Sequence, residues 1–141
     1  MPNDGHNPVI LPGLTRNQRI GLGLALLLTG SAIALGAVGS HIVSRLYPEG
    51  ATTFAIALRY HTLHALAAIV LSLLASQYSR ILTRVVLGCF IVGLVLFCGL
   101  LYLKAFQILQ VSGPWIPVGG MSLILGWLIW GIGVLFSAAR K

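Results

Sequence analysis

The chain has 141 residues, of which 57% are hydrophobic and only 8% are charged, and its net charge is +7. A soluble domain carries roughly a quarter of its residues as charged side chains, and a disordered chain lacks apolar residues, so both classes are excluded. Two cysteines are too few for a disulfide scaffold, and the basic residues are too dispersed for a nucleic-acid-binding face, which leaves an integral membrane protein.

The chain order predicts a short tail followed by four membrane-spanning helices. Residues 1–19 are rich in proline and glycine and predict an irregular cytoplasmic tail. A helix needs about 20 apolar residues to cross the hydrocarbon core. Four stretches meet this requirement, at 20–40, 53–76, 85–108 and 116–137. We therefore predict an all-α four-transmembrane-helix bundle over residues 20–137, with a basic cytoplasmic tail at 138–141.

The distribution of basic residues predicts the orientation of the bundle. Lys and Arg are enriched in cytoplasmic loops. Six of the nine basic residues fall on the side that also holds both termini: Arg16, Arg19, Arg80, Arg84, Arg140 and Lys141. Both termini are therefore predicted to be cytoplasmic. The other three, Arg45, Arg59 and Lys104, fall toward the outer side.

Small residues recur on one face of several predicted helices, which is the pattern by which helices pack closely in lipid. The first helix carries Gly21, Ala25, Thr29, Ala32, Gly36 and Gly39 at spacings of three or four. The fourth carries Gly119, Ser122, Gly126, Gly133 and Ser137. These stripes are expected to face the inside of the bundle.

Polar residues inside a membrane are costly, so each requires an explanation. The predicted topology gathers a candidate polar cluster near the outer leaflet: His41, Arg59, Tyr60, His61, His64, Tyr102 and Lys104. His61 and His64 share a helix face. Arg59 and Lys104 either snorkel to the interface or bind Glu49, a lipid phosphate or an anionic substrate.

The histidines admit two kinds of interpretation. Three imidazoles are able to bind zinc or copper, and a pair on separate helices is able to ligate haem, which makes His41 and His64 candidate ligands. The interpretation that we favour is that the histidines hydrogen-bond within the bundle and hold it together. No strong ligand motif is present, so neither a metal nor a cofactor is predicted.

Four ordered blocks of sequence resemble the YgdD-like family of small bacterial inner-membrane proteins, whose function is unknown. The blocks are Gly-Ala-Val-Gly-Ser-His at 36–41, Tyr-His-Thr-Leu-His-Ala-Leu at 60–66, Leu-Phe-Cys-Gly-Leu-Leu-Tyr at 96–102, and Pro-Val-Gly-Gly at 117–120 followed by Gly126 and Trp127. The chain departs from the family pattern at His61, where Gln is usual, and at Cys98, where Ser is usual. Lys104 and Ile116 also depart from it.

The resemblance implies a multi-pass protein of the bacterial inner (plasma) membrane and a shared polar core around His41, His64 and Tyr102. It implies no activity. Together with the small-residue stripes, it indicates a set of helix-packing positions: Gly36, Gly39, Gly99, Pro117, Gly119, Gly120 and Gly126.

The sequence favours a structural or accessory membrane component without catalytic activity. Two acidic residues in the whole chain nearly exclude acid–base catalysis by carboxylates. The expected partners are the lipid bilayer and either a larger membrane complex or further copies of the chain, but not nucleic acid. The alternative is a small-molecule, lipid or ion-binding or transport protein that uses the polar cluster. A third hypothesis is a haem- or copper-linked redox protein.

Overall fold

The computed structural model describes residues 13–110 and 113–136, and the predicted all-α architecture of four apolar helices is confirmed there. The helices run over Arg16–Leu46, Pro48–Leu74, Arg80–Ala105 and Trp115–Phe136. Each is long and apolar enough to cross a membrane. Residues 1–12 of the predicted tail, Ser137 at the end of the fourth stripe, and the basic tail at 138–141 lie outside the described residues. Residues 16–19, which were predicted to belong to the irregular tail, form the first turn of the first helix.

Local sequence signals explain where the helices begin and end. The Thr15 hydroxyl accepts a hydrogen bond from the Gln18 backbone N–H, and the Gln18 side chain accepts one from the Thr15 backbone N–H, which is a capping box. Ser79 caps the third helix by accepting from the Leu82 N–H. The third helix ends at Ala105, and Gln107 follows it with a left-handed φ of 57°.

The first helix continues to Leu46, where the sequence predicted a loop from residue 41 onward. The continuation begins with a π-helical segment, Gly39–Val43. Val43 is fully buried against Phe54 and Ala105. Burial of this side chain stabilises the extra turns, and an apolar residue inside a predicted loop is the sequence signal for it.

The four helices form two closely packed pairs, the first with the second and the third with the fourth. A polar contact and an apolar cluster show that the first three helices alternate in direction. At one end, the Gln18 side chain reaches Leu73 near the end of the second helix. At the other end, Val43, Phe54 and Ala105 form one cluster. We call these the Arg80 end and the Tyr47 end of the bundle, after one residue at each end. The fourth helix runs antiparallel to the third, because Gly119 lies near Phe97 and Gly133 lies near Leu82.

The second helix is the central element of the bundle. Its buried residues are four alanines, the two histidines, Phe54 and Leu71, and they contact all three other helices. Toward the Arg80 end, Leu71 packs with Val86, Phe90 and Trp130. Nearer the Tyr47 end, Ala57 packs with Cys98 and Leu101. A central helix lined with small residues brings the other three close enough to exchange polar contacts.

The third helix contains a second π-helical segment, Leu94–Gly99. Gly119 of the fourth helix lies against its backbone: a Cβ atom at Gly119 would be 2.5 Å from the backbone nitrogen of Phe97. The π turn and the missing side chain together allow the two helix backbones to touch.

Candidate functional site

His64 lies almost completely buried between the second, third and fourth helices, and both of its ring nitrogens are engaged. Nδ1 is 2.7 Å from the Tyr60 carbonyl oxygen one turn earlier, so it carries the hydrogen and donates. Nε2 is then an acceptor, and it receives a hydrogen bond of 3.1 Å from the Trp127 indole N–H. These partners fix a neutral imidazole with its hydrogen on Nδ1.

His61 takes part in a chain of hydrogen bonds that crosses three helices. The Ser31 hydroxyl donates to the Leu28 carbonyl oxygen at 2.7 Å, so its oxygen is left to accept from His61 Nε2, 3.4 Å away. His61 Nδ1 then accepts from the Tyr102 hydroxyl at 3.3 Å. His61 therefore carries its hydrogen on Nε2, which is the opposite tautomer to His64.

The structure divides the candidate polar cluster into bonded and exposed members. Inside the bundle His61 contacts Tyr102, and His64 separately contacts the Tyr60 carbonyl. His41, Arg59 and Lys104 are exposed and make no side-chain hydrogen bond to any residue of 13–110 or 113–136. The Tyr60 ring is half-exposed and lies edge-on to Phe97 at 5.0 Å.

The candidate packing positions also differ in their surroundings. Gly39 lies against the Phe54 ring, Gly126 against the Phe90 ring, and Gly120 beside the Phe97 ring. A Cβ at Gly36 would make an ordinary contact of 3.7 Å with Leu58, and one at Gly99 would meet only its own helix. Pro117 is exposed in the first turn of the fourth helix.

The described residues do not bring three His, Cys, Asp or Glu side chains together as a metal site. The lone pair of His64 Nε2 already accepts from Trp127, so a metal ion there would displace this bond. His41 is exposed on the first helix and shares no contact with His64. The geometry therefore gives the bonded histidines a role in joining helices.

An apolar groove of about 280 Å³ lies between the second and fourth helices, next to His64. Its walls include Tyr60, Leu63, His64, Phe97, Gly120 and Trp127. Three of the four sequence blocks that resemble the YgdD-like family contribute to these walls. The groove is partly open, and in a membrane its opening faces lipid.

Two functional residues were not identified from the sequence. Gln18 is buried and donates through Nε2 to the Leu73 carbonyl at 2.9 Å and to the Ser76 hydroxyl at 3.3 Å. The spacing of Thr15 and Gln18 indicates a capping box, but nothing local indicates the second helix as a partner. Trp127 was noted only as part of a sequence block, and no local signal links it to His64.

Comparison with known proteins identifies the family. Residues 35–120 match a family model described as a protein of unknown function (DUF423). The chain is 31% identical over 100 residues to the UPF0382 membrane protein YwdK of Bacillus subtilis, covering 70% of this chain and 81% of that protein. It is 33% identical over 111 residues to the UPF0382 inner membrane protein YgdD of Escherichia coli, covering 73% and 79%. No solved structure matches the chain. The chain belongs to the DUF423 family.

Membership of the DUF423 family confirms the resemblance to YgdD-like proteins. The relatives are named as membrane and inner membrane proteins, and this chain has four helices able to span a membrane. It is a multi-pass inner-membrane protein. The function of the DUF423 family is unknown and no catalytic activity is indicated for it.

The DUF423 match contains both bonded histidines and the Tyr102 hydroxyl, and it ends at residue 120. Trp127, which donates to His64, lies beyond the matched segment. The last part of the fourth helix therefore completes the His64 site from outside the matched residues.

Proposed function

We propose that this DUF423 protein is a non-catalytic accessory component of the membrane, which packs against another membrane-spanning protein through its first helix. The contact surface is an open face of that helix, defined here by Gly23, Leu27, Gly30, Ala34 and Ala37. These residues recur at spacings of three or four, and all are exposed.

The observation that carries this proposal is that the first helix has small residues on two opposite faces. One face, with Ala25 and Ala32, is buried against the second helix. On the other, Cβ atoms at Gly23 and Gly30 would meet no atom within 4 Å. Helices associate in lipid through close packing of small residues, whereas glycine exposed to lipid alone lowers helix stability without a return.

We propose a non-catalytic role because the described residues offer few groups that could transfer a proton. His61 and His64 use their ring nitrogens to join helices. Glu49 is the sole carboxylate side chain among residues 13–110 and 113–136, and it is exposed in the connection at the Tyr47 end. These features support an accessory role over a proton-transfer enzyme.

Photo-crosslinking in native membranes tests the proposed contact. A photoreactive residue at Leu27 is expected to give one product of constant mass, while the same residue at Ile91, on the exposed surface of the third helix, gives none. No product from Leu27, or equal products from both positions, contradicts the proposal. A product of twice the chain's mass would show that the open face binds a second copy of this chain instead of another protein.

Two matched glycine variants sharpen this experiment. Gly30 and Gly88 are both helical glycines with open space around the missing Cβ, but only Gly30 belongs to the open face. Gly30→Leu is expected to remove the Leu27 product and Gly88→Leu to leave it unchanged. Equal loss in both variants means that the product does not depend on the open face.

We also propose that both termini are cytoplasmic, because Arg16, Arg80 and Arg84 lie together at the Arg80 end. Fusion of alkaline phosphatase to the C-terminus is expected to give an inactive reporter, and fusion of a fluorescent protein a bright one. The reverse pattern inverts the orientation.

A further inference from the structure

Arg59 is an exposed charged residue on the second helix, well inside the membrane-spanning segment. Its depth follows from its neighbours: Ala57 packs with Cys98 and Leu101, and Tyr60 contacts Phe97. Arg59 therefore lies level with residues 97–101 of the third helix, which places its Cα roughly 5–10 Å below Lys104 at a rise of about 1.5 Å per residue.

Lys104 marks one boundary of the hydrocarbon core. It follows Arg84 by twenty positions in the same helix, a length of about 30 Å, which is the thickness of the hydrocarbon region. Helical side chains lean toward the N-terminus of their helix, and the second helix begins at the Tyr47 end. The Arg59 side chain is thus directed toward the headgroups at that end.

No protein group neutralises Arg59 within residues 13–110 and 113–136. It forms no ion pair there, and Glu49 forms none either. A cationic side chain at this depth is costly unless it meets a negative charge. The anionic group at the boundary toward which the Arg59 side chain extends is a lipid phosphate.

The surface around Arg59 is shaped for an apolar chain as well as a charge. Arg59 lies in a shallow depression of about 510 Å³, formed with Leu58, Thr62 and Leu63. Leu63 also lines the groove of about 280 Å³ between the second and fourth helices. Leu63 follows Arg59 by one helical turn in the direction of the bilayer centre. The depression at Arg59 therefore lies nearer the lipid headgroups, and the groove beside Leu63 lies deeper, at the depth of an acyl chain.

We propose that this surface binds one anionic phospholipid, with the phosphate at Arg59 and an acyl chain in the groove beside Leu63, Gly120 and Trp127. A lipid fits better than a protein partner because the groove is apolar and opens onto the bilayer. The guanidinium matches a phosphate in charge and geometry.

Native mass spectrometry of the full chain tests whether the charge of Arg59 binds an anionic lipid. The protein is released from nanodiscs that contain equal amounts of phosphatidylglycerol and phosphatidylcholine, and the lipid retained by each molecule is counted. The wild type is expected to retain one phosphatidylglycerol in preference to phosphatidylcholine. Arg59→Gln is expected to lower this preference about fivefold, the effect of one basic side chain at an anionic membrane surface.

Arg45→Gln is the matched control, because Arg45 is an exposed arginine at the same end but on the first helix. It is expected to keep the wild-type preference. An unchanged preference in Arg59→Gln, or equal losses in both variants, overturns the proposal. So does loss of a co-purifying acidic protein from Arg59→Gln with lipid retention unaltered.

A second measurement locates the acyl chain. Phosphatidylglycerol with a photoreactive group in mid-chain is expected to label peptides that contain Leu63 or Trp127 in the wild-type chain. Labelling distributed evenly over the lipid-facing helices overturns the placement in the groove. Gly120→Leu, which fills the groove, is expected to reduce this labelling while Gly131→Leu does not.

Discussion

Both helix pairs of the bundle are joined at glycines, but the two contacts differ in what lies opposite. In the third–fourth pair, a Cβ at Gly119 would meet the backbone of Phe97. In the first–second pair, a Cβ at Gly21 would lie 2.9 Å from the Ser72 hydroxyl oxygen, and one at Gly39 would meet the Phe54 ring. Side chains can rotate away whereas a helix backbone cannot. The same small-residue pattern therefore produces a rigid contact at Gly119 and an adjustable one at Gly21.

The largest expected effect comes from Gly119→Ala, which forces the third and fourth helices apart. Overpacking of a close contact costs up to about 3 kcal/mol, and no side-chain rotation relieves it here. We expect a loss of about 3 kcal/mol in the free energy of unfolding, measured by SDS titration in mixed micelles. Gly21→Ala is expected to cost less than about 1 kcal/mol, since Ser72 is able to turn.

Gly131→Ala is the control for both variants, because nothing lies within 4 Å of the missing Cβ. It is expected to leave stability unchanged or slightly higher, as helical alanine is preferred to glycine. If Gly119→Ala and Gly21→Ala cost the same, the distinction between these two contacts is wrong.

The next largest effect is expected at His64, which joins the second helix to the fourth. His64→Ala leaves the Trp127 N–H without its acceptor in lipid, where no water replaces it, and it also removes a fully buried side chain. We expect a loss of about 2 kcal/mol, read from the same titration. His41→Ala, at an exposed histidine, is expected to change stability by less than about 0.5 kcal/mol; equal effects at both positions exclude a specific role for His64.

Gln18 tests the first–second pair, where a polar side chain joins the helix ends. Gln18→Ala removes both the capping interaction and the bonds to Leu73 and Ser76. We expect a loss of about 1 kcal/mol and faster hydrogen exchange in the first turns of the helix. Asn17→Ala, at the exposed neighbouring position, is the control, and a similar change there would show that helix propensity is responsible.

Local patterns predicted the four helices because length and hydropathy are enough to identify a membrane span. They did not predict the extra turns after Gly39, since these depend on burial of Val43 by residues of two other helices. The small-residue stripe of the first helix identified the face that contacts the second helix. The opposite stripe with Gly23 and Gly30 was overlooked, because small residues recur at helical spacing on both faces and the spacing alone does not show which face is buried.

The partners of the polar residues were beyond sequence reasoning for a different reason. His64 bonds to Trp127, 63 positions away, and Gln18 bonds to Leu73, 55 positions away. Topology placed the histidines at similar depth, but the choice of partner depends on helix rotation. Helix rotation in turn depends on which glycine faces which neighbour, and a single sequence does not specify this.

The smallest predicted effect, Tyr102→Phe, tests the hydrogen-bond chain that connects the first–second pair to the third helix. Its bonds at His61 measure 3.3 and 3.4 Å, longer than those at His64, and hydrogen bonds between membrane helices average only about 0.6 kcal/mol. We expect a loss of about 0.6 kcal/mol in the free energy of unfolding, since the Phe ring keeps the contact with Phe54 at 4.9 Å.

Nitrogen NMR is the second measurement on this hydrogen-bond chain. The wild type is expected to show His61 with its hydrogen on Nε2 and His64 with its hydrogen on Nδ1. In Tyr102→Phe, His61 Nδ1 is expected to lose its donor while the His64 signals stay unchanged. Tyr47→Phe, at a tyrosine packed on Phe106, is expected to change neither spectrum nor stability. A change of the His64 signals in Tyr102→Phe would mean that the two histidines form one coupled site rather than two separate joints.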